Sequence, residues 1–152
     1  MRNRAMSLSV YTLRVLALAE TLHRWLTILT GLDSANRERI AEYAEAIAAT
    51  LARAASAIAK LDTQPHHPNA RAEAVRELGR ITGYVETIVV VLEQHLDGRK
   101  IAGVKRRLDM LDVGCLAKGI AMDAPQPDGQ MRAERLLAAE GYLRALADGL
   151  RA

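Results

Sequence analysis

Apolar residues recur along most of this chain at alternating steps of three and four, the spacing that lays one stripe along an α-helix. Leu8, Tyr11, Val15, Leu18, Leu22, Trp25, Leu29 and Leu32 form the first stripe. They predict a helix over roughly residues 6 to 30. Gly31 ends it, and the Asp33-Ser34 pair caps the next helix, with Glu38 in its first turn, where the helix dipole favours a negative charge. That second helix, about residues 34 to 61, carries Ile40, Ala44, Ile47, Leu51, Ala54, Ile58 and Leu61. Its many alanines favour helix and let a neighbouring backbone come close. At 1.5 Å per residue it is about 40 Å long, comparable to the first, so the two predict an antiparallel hairpin.

The segment from Asp62 to Asn69 has the proline and asparagine chemistry of a loop, with Asn69 as a candidate cap. A third helix, about residues 70 to 97, follows on Val75, Leu78, Val85, Val89, Leu92 and Leu96, widened by Ile81, Ile88, Val90 and Val91. Between Thr87 and Leu92 the β-branched density makes a short strand the competing reading, but length and flanks favour helix. Asp97-Gly98 marks a turn, and a fourth helix, about residues 99 to 122, has a seam of Ile101, Val104, Leu108, Leu111 and Cys115. After the Pro-rich break around Pro125 and Pro127, a fifth helix, about residues 131 to 150, carries Leu136, Ala139, Leu143, Leu146 and Leu150. Arg132, Arg135 and Arg144 are expected outside, and this helix to cap the bundle or serve as a docking arm.

The predicted architecture is all-α: one domain over residues 1–152, an antiparallel up-down four-helix bundle within about residues 6 to 122, and an additional C-terminal helix. The first helix is apolar almost all round its first half, because Val10, Leu13 and Leu16 lie off its stripe. Such a surface predicts a second partner, most simply another copy of the chain in a homo-oligomer.

Composition sharpens this picture in two ways. Phe is absent and aromatics are 3% of the 152 residues, so Leu, Ile, Val and Ala must fill the core. Lys and Arg outnumber Asp and Glu by 21 to 18, which permits a polyanionic partner without demanding one. The single Cys115 leaves no intramolecular disulfide. Arg14 and Glu20 interrupt the first apolar run, so no membrane span is expected and a cytoplasmic protein is the natural reading.

The charge is concentrated. Arg99, Lys100, Lys105, Arg106 and Arg107 open the fourth helix and gather on or beside one face, away from its apolar seam. Five cations so placed suit the phosphate backbone of nucleic acid, with salt-sensitive and sequence-tolerant binding. Few aromatics are free for base stacking, because Tyr11, Trp25 and Tyr43 fall at core or seam positions.

Catalytic chemistry is weakly supported. Glu20 and His23 have the Glu-x-x-His spacing of di-iron bundles, but no second pair exists, since Glu93 precedes His95 by two residues. His66 and His67 adjoin between prolines, where a solvated loop is the simpler account. No nucleophile elbow or Gly-rich phosphate loop occurs, so a non-enzymatic protein without metal or cofactor is expected.

Several segments together resemble a known family. They are the helix end Leu-His-Arg-Trp-Leu-Thr-Ile-Leu, the helix start Arg-Glu-Arg-Ile-Ala-Glu, Arg76-Glu-Leu-Gly-Arg-Ile-Thr-Gly-Tyr-Val85, and Val113-Gly-Cys-Leu-Ala-Lys-Gly-Ile120 with its paired Gly114 and Gly119. The pattern is similar to the four-helix-bundle family of proteins encoded in 23S ribosomal RNA intervening sequences and of accessory variability proteins of diversity-generating retroelements. The fifth helix lies outside that family's core. The resemblance implies a barrel-like homo-oligomer whose basic surface binds nucleic acid and, in the retroelement branch, a partner reverse transcriptase. The alternative expectation is a protein-only scaffold or adaptor that docks a partner through apolar helix faces.

Overall fold

The computed structural model describes residues 8–64, 68–95, 98–109 and 129–152. The described residues are all-α, in six helices: α1 (Leu8–Arg24), α2 (Leu26–Leu29), α3 (Ser34–Thr63), α4 (Pro68–Leu92), α5 (Gly98–Asp109) and α6 (Gly129–Arg151). None of them adopts strand, so the β-branched run from Thr87 to Leu92 completes α4 as helix. Pro68 takes a place in the first turn of α4, where its fixed φ suits the helix and its missing N–H costs nothing. Asn69 therefore lies inside the helix rather than capping it.

The first stripe predicts one continuous helix, but the structure breaks it at Trp25. There φ and ψ are −85° and 3°, and Trp25 N–H donates to the Leu22 carbonyl at 3.2 Å, a tighter three-residue step. The short α2 that follows re-aims Leu29 into the core and sends the chain through Gly31 to Asp33. Asp33 caps α3 as its chemistry requires, accepting from Asn36 N–H at 2.8 Å. Glu38 lies beyond the first turn of α3, and its partner is Arg151 of α6 at 2.9 Å.

Every predicted stripe residue of α3 is buried, as are Tyr11, Val15, Leu18, Leu22 and Leu29 from the first stripe. Buried threonines on these helices return their hydroxyl protons to the preceding turn: Thr21 to the Ala17 carbonyl and Thr50 to the Ala46 carbonyl, each at 2.8 Å. Neither hydroxyl proton is left unpaired inside.

The C-terminal helix departs most from expectation. Rather than capping the bundle or projecting as an arm, α6 packs along α3 more extensively than any other helix pair and also lies along α1. Leu136, Ala139, Leu143, Leu146, Ala147 and Leu150 are all at most 2% exposed. In the middle of the core, Leu18 and Leu22 of α1, Leu51 of α3, Ile81 and Val85 of α4 and Leu143 of α6 face one another around a small apolar gap. Four long helices thus share one interior.

Ion pairs at both ends fix the direction of α6. Arg132 near its start meets Asp62 near the end of α3, and Arg151 at its end meets Glu38 and Glu45 near the start of α3, so the two run antiparallel. Against α1, Arg135 donates to the Ser9 carbonyl at 3.3 Å and Gly149 abuts Leu26, so α1 and α6 run the same way. Arg132 corrects the expected outward placement: it is 4% exposed, because it falls in register with Leu136 and Leu143 on the buried stripe. The α3–α4 hairpin is antiparallel, closed at one end by Asn36 and His95 with their side-chain nitrogens 3.4 Å apart.

Candidate nucleic-acid interface

The predicted basic helix exists as α5, against α4 and, more lightly, α1. Ile101, 6% exposed, anchors it in the core. Arg99, Lys105 and Arg106 are exposed. The side chains of Lys100 and Arg107 lie outside the described residues, as do residues 110–128 with Leu111, Gly114, Cys115 and Gly119.

Lys105 is not a free cation: its Nζ lies 2.6 Å from a carboxylate oxygen of Glu93, just beyond α4. Both partners are roughly half exposed, 55% and 41%, so water screens the pair and it holds α5 in place only weakly. A phosphate competing for Lys105 displaces an exposed carboxylate.

A second cationic cluster, on the α3–α4 face, was missed by reading the charge runs. Glu77 is buried, its side chain 5% exposed. Arg53 of α3 donates from Nε to Glu77 Oε1 at 3.0 Å and from a terminal nitrogen to Thr50 Oγ1 at 3.1 Å. Arg80 brings a terminal nitrogen to 3.6 Å from the same carboxylate, and Arg76 brings Nε to 3.9 Å. Burying a carboxylate is costly without an opposite charge and hydrogen bonds, and Arg53 supplies both. Arg80 also donates to the Tyr84 hydroxyl at 3.2 Å and lies over its ring, 5.9 Å from the centroid. That hydrogen bond raises the guanidinium pKa further above its ordinary value. The signal for this cluster was the i, i+3 spacing of Glu77 and Arg80 beside Arg76; the part of Arg53, 24 residues earlier, becomes visible only when α3 and α4 pair.

Of the metal candidates, Glu20 and His23 each meet another partner. Glu20 pairs with Arg24 at 3.8 Å, while His23 packs its ring against Tyr142 at 5.4 Å between centroids. His66 and His67 lie outside the described residues. Among the described residues there is no group of three or more His, Cys, Asp or Glu side chains able to hold a metal ion, and no helix long and apolar enough to cross a membrane.

No family model matches the chain, and neither the curated proteins nor the solved structures contain a match to it.

Proposed function

We propose that the protein is a non-enzymatic, homo-oligomeric helical bundle that binds the phosphate backbone of nucleic acid through α5. The observation that carries this reading is the α5 surface: Ile101 buried, with Arg99, Lys105 and Arg106 on the exposed side of the same helix. Lys100 and Arg107 complete the cationic set in sequence. In the same reading α1, α3, α4 and the α5 region make an up-down antiparallel four-helix arrangement, with α6 as the additional helix inserted between α1 and α3. The protein acts in the cytoplasm as an accessory factor to a nucleic-acid enzyme such as a reverse transcriptase, a role suggested by the family resemblance described above.

The direct test is affinity for a mixed-sequence duplex RNA as a function of salt. Backbone binding gives log affinity falling linearly with log salt, with a slope of about one per phosphate neutralised. A flat salt response, or no binding at low salt, would contradict the proposal.

A protein-only scaffold is the second reading. It is favoured by Val10 and Leu13, 39% and 49% exposed on the outer side of α1, where large apolar groups meet water. It predicts a stable oligomer that elutes from heparin without added salt.

A further inference from the structure

We infer that Arg53, Arg76 and Arg80, arrayed around the buried Glu77 carboxylate, form a second phosphate-backbone contact for nucleic acid, separate from α5. This inference rests on the nucleic-acid reading of α5 and extends it to a face of the bundle on which no charge run occurs.

The charges in this cluster are unbalanced. One carboxylate faces three guanidinium groups, leaving a local charge of +2, and still +1 if Glu73, one turn earlier on α4, is counted. Among the described residues Glu77 accepts a hydrogen bond only from Arg53, at 3.0 Å; Arg80 and Arg76, at 3.6 and 3.9 Å, approach its carboxylate as ion pairs without a hydrogen bond to it. Their side chains are 47% and 67% exposed, and that of Arg53 is 44% exposed. Solvent thus reaches planar donor groups whose hydrogen-bonding capacity the protein leaves largely unused. An oxyanion with several acceptor oxygens, such as a phosphodiester, matches that donor set better than a point cation's partner does.

The cluster is also pre-organised. Glu77 gathers the three groups from inside, Thr50 steadies Arg53, and Tyr84 steadies Arg80 by a hydrogen bond and by its ring. Holding long side chains in place before the ligand arrives lowers the entropy lost on binding.

Position favours a nucleic-acid backbone over an isolated anion. Glu93, which holds Lys105 of α5, lies about 20 Å further along the α4 axis than Arg80 at 1.5 Å per residue. The two cationic patches therefore stand at separate levels of one helix, with Gly83, Glu86 and Val90 exposed between them. A polymer with phosphates at intervals spans such a gap, with Glu86 keeping the backbone off the intervening surface; a single phosphate occupies one patch only.

The test compares the full-length protein with R76Q/R80Q, R76K/R80K and R106E/R107E in salt-titrated binding to a duplex RNA, with inorganic phosphate as a competitor. R76Q/R80Q retains the Arg53–Glu77 hydrogen bond, and unchanged helical circular dichroism verifies its fold; R76Q alone serves if the double variant is unstable, because Arg76 makes no hydrogen bond to Glu77. The expected result is a salt slope lower by about one to two in R76Q/R80Q and restored in R76K/R80K, with millimolar phosphate competing only weakly. If R76Q/R80Q binds with wild-type slope and affinity while R106E/R107E is impaired, the second contact is overturned and the α5 reading stands. If the wild-type protein does not bind, or R106E/R107E is indistinguishable from it, the α5 reading fails and this inference fails with it.

Discussion

The Tyr11 hydroxyl, in the second turn of α1, donates to the Leu78 carbonyl in the middle of α4 at 3.1 Å, with Thr82 Oγ1 3.5 Å away. Tyr11 is fully buried, so this is a polar bond across the core between helices 67 residues apart in sequence. Burial pushes its pKa up to about 12, the hydrogen bond with Thr82 opposing only part of that rise. In the unfolded chain the phenol ionises near 10, so the folded state keeps a proton that the unfolded state has lost as pH climbs past that value. Stability from this group is complete below about pH 10 and falls until about pH 12, a loss of roughly 2–3 kcal/mol.

Tyr11→Phe removes the hydroxyl and leaves the Leu78 carbonyl bonded within its helix. It is expected to cost about 1 kcal/mol at pH 7 and to flatten the alkaline decline in stability. Urea melts at pH 7 and at several points above pH 9 check both parts; an unchanged alkaline slope in the variant would show that other groups cause the decline.

The buried Arg132 and its partner Asp62 are asymmetric, with side chains 5% and 21% exposed. Asp62→Ala takes a carboxylate away from a buried guanidinium, whereas Arg132→Met leaves a carboxylate that still reaches water. The first is expected to cost about 2–3 kcal/mol, discounted for the partial exposure of Asp62, and the second clearly less. For a chain of this length that places the Asp62→Ala melting temperature roughly 5–10 °C below wild type. Equal losses in the two variants would contradict the asymmetry.

Leu143 tests whether α6 belongs to the core. Leu143→Ala opens a cavity beside Leu18, Leu22 and Leu51 and is expected to cost about 2–5 kcal/mol in equilibrium unfolding. A C-terminal docking arm would tolerate the same change within about 0.5 kcal/mol.

Three helical glycines give a graded prediction. A Cβ at Gly83 or Gly141 would meet nothing within 4 Å, so alanine at either position is expected to stabilise the helix by about 0.5–1 kcal/mol. At Gly149 a Cβ would come within 2.7 Å of a Leu26 methyl, so Gly149→Ala must move that side chain and gains less or nothing. Thermal melts of the three single variants check the order.

How much of this was legible in the sequence follows from which interactions are local. The stripes of α1, α3, α4 and α6 could be read because a helix repeats its buried face every three or four residues, and almost every stripe residue is buried. The break at Trp25 could not be read, since the apolar spacing runs through it without a Gly or Pro. Arg132 was misplaced because an arginine reads as surface until its register with Leu136 and Leu143 is matched to an acid on another helix. The same holds for Arg53 and Glu77: the charge run at Arg99–Arg107 is visible as text, whereas a cluster assembled from two helices is visible only once they pair. The place of α6 between α1 and α3 was likewise not legible, because its apolar stripe is equally suited to a cap, an arm or a core helix.

The proposed function rests on the cations of α5 binding the phosphate backbone of nucleic acid. The measurement that tests it most directly is duplex-RNA affinity of wild-type protein and R106E/R107E across a low-to-moderate salt series, each confirmed folded and of the same oligomeric mass. Steeply salt-dependent wild-type binding, abolished by the charge reversal, is the expected result. Binding of equal strength and slope in both proteins would contradict it.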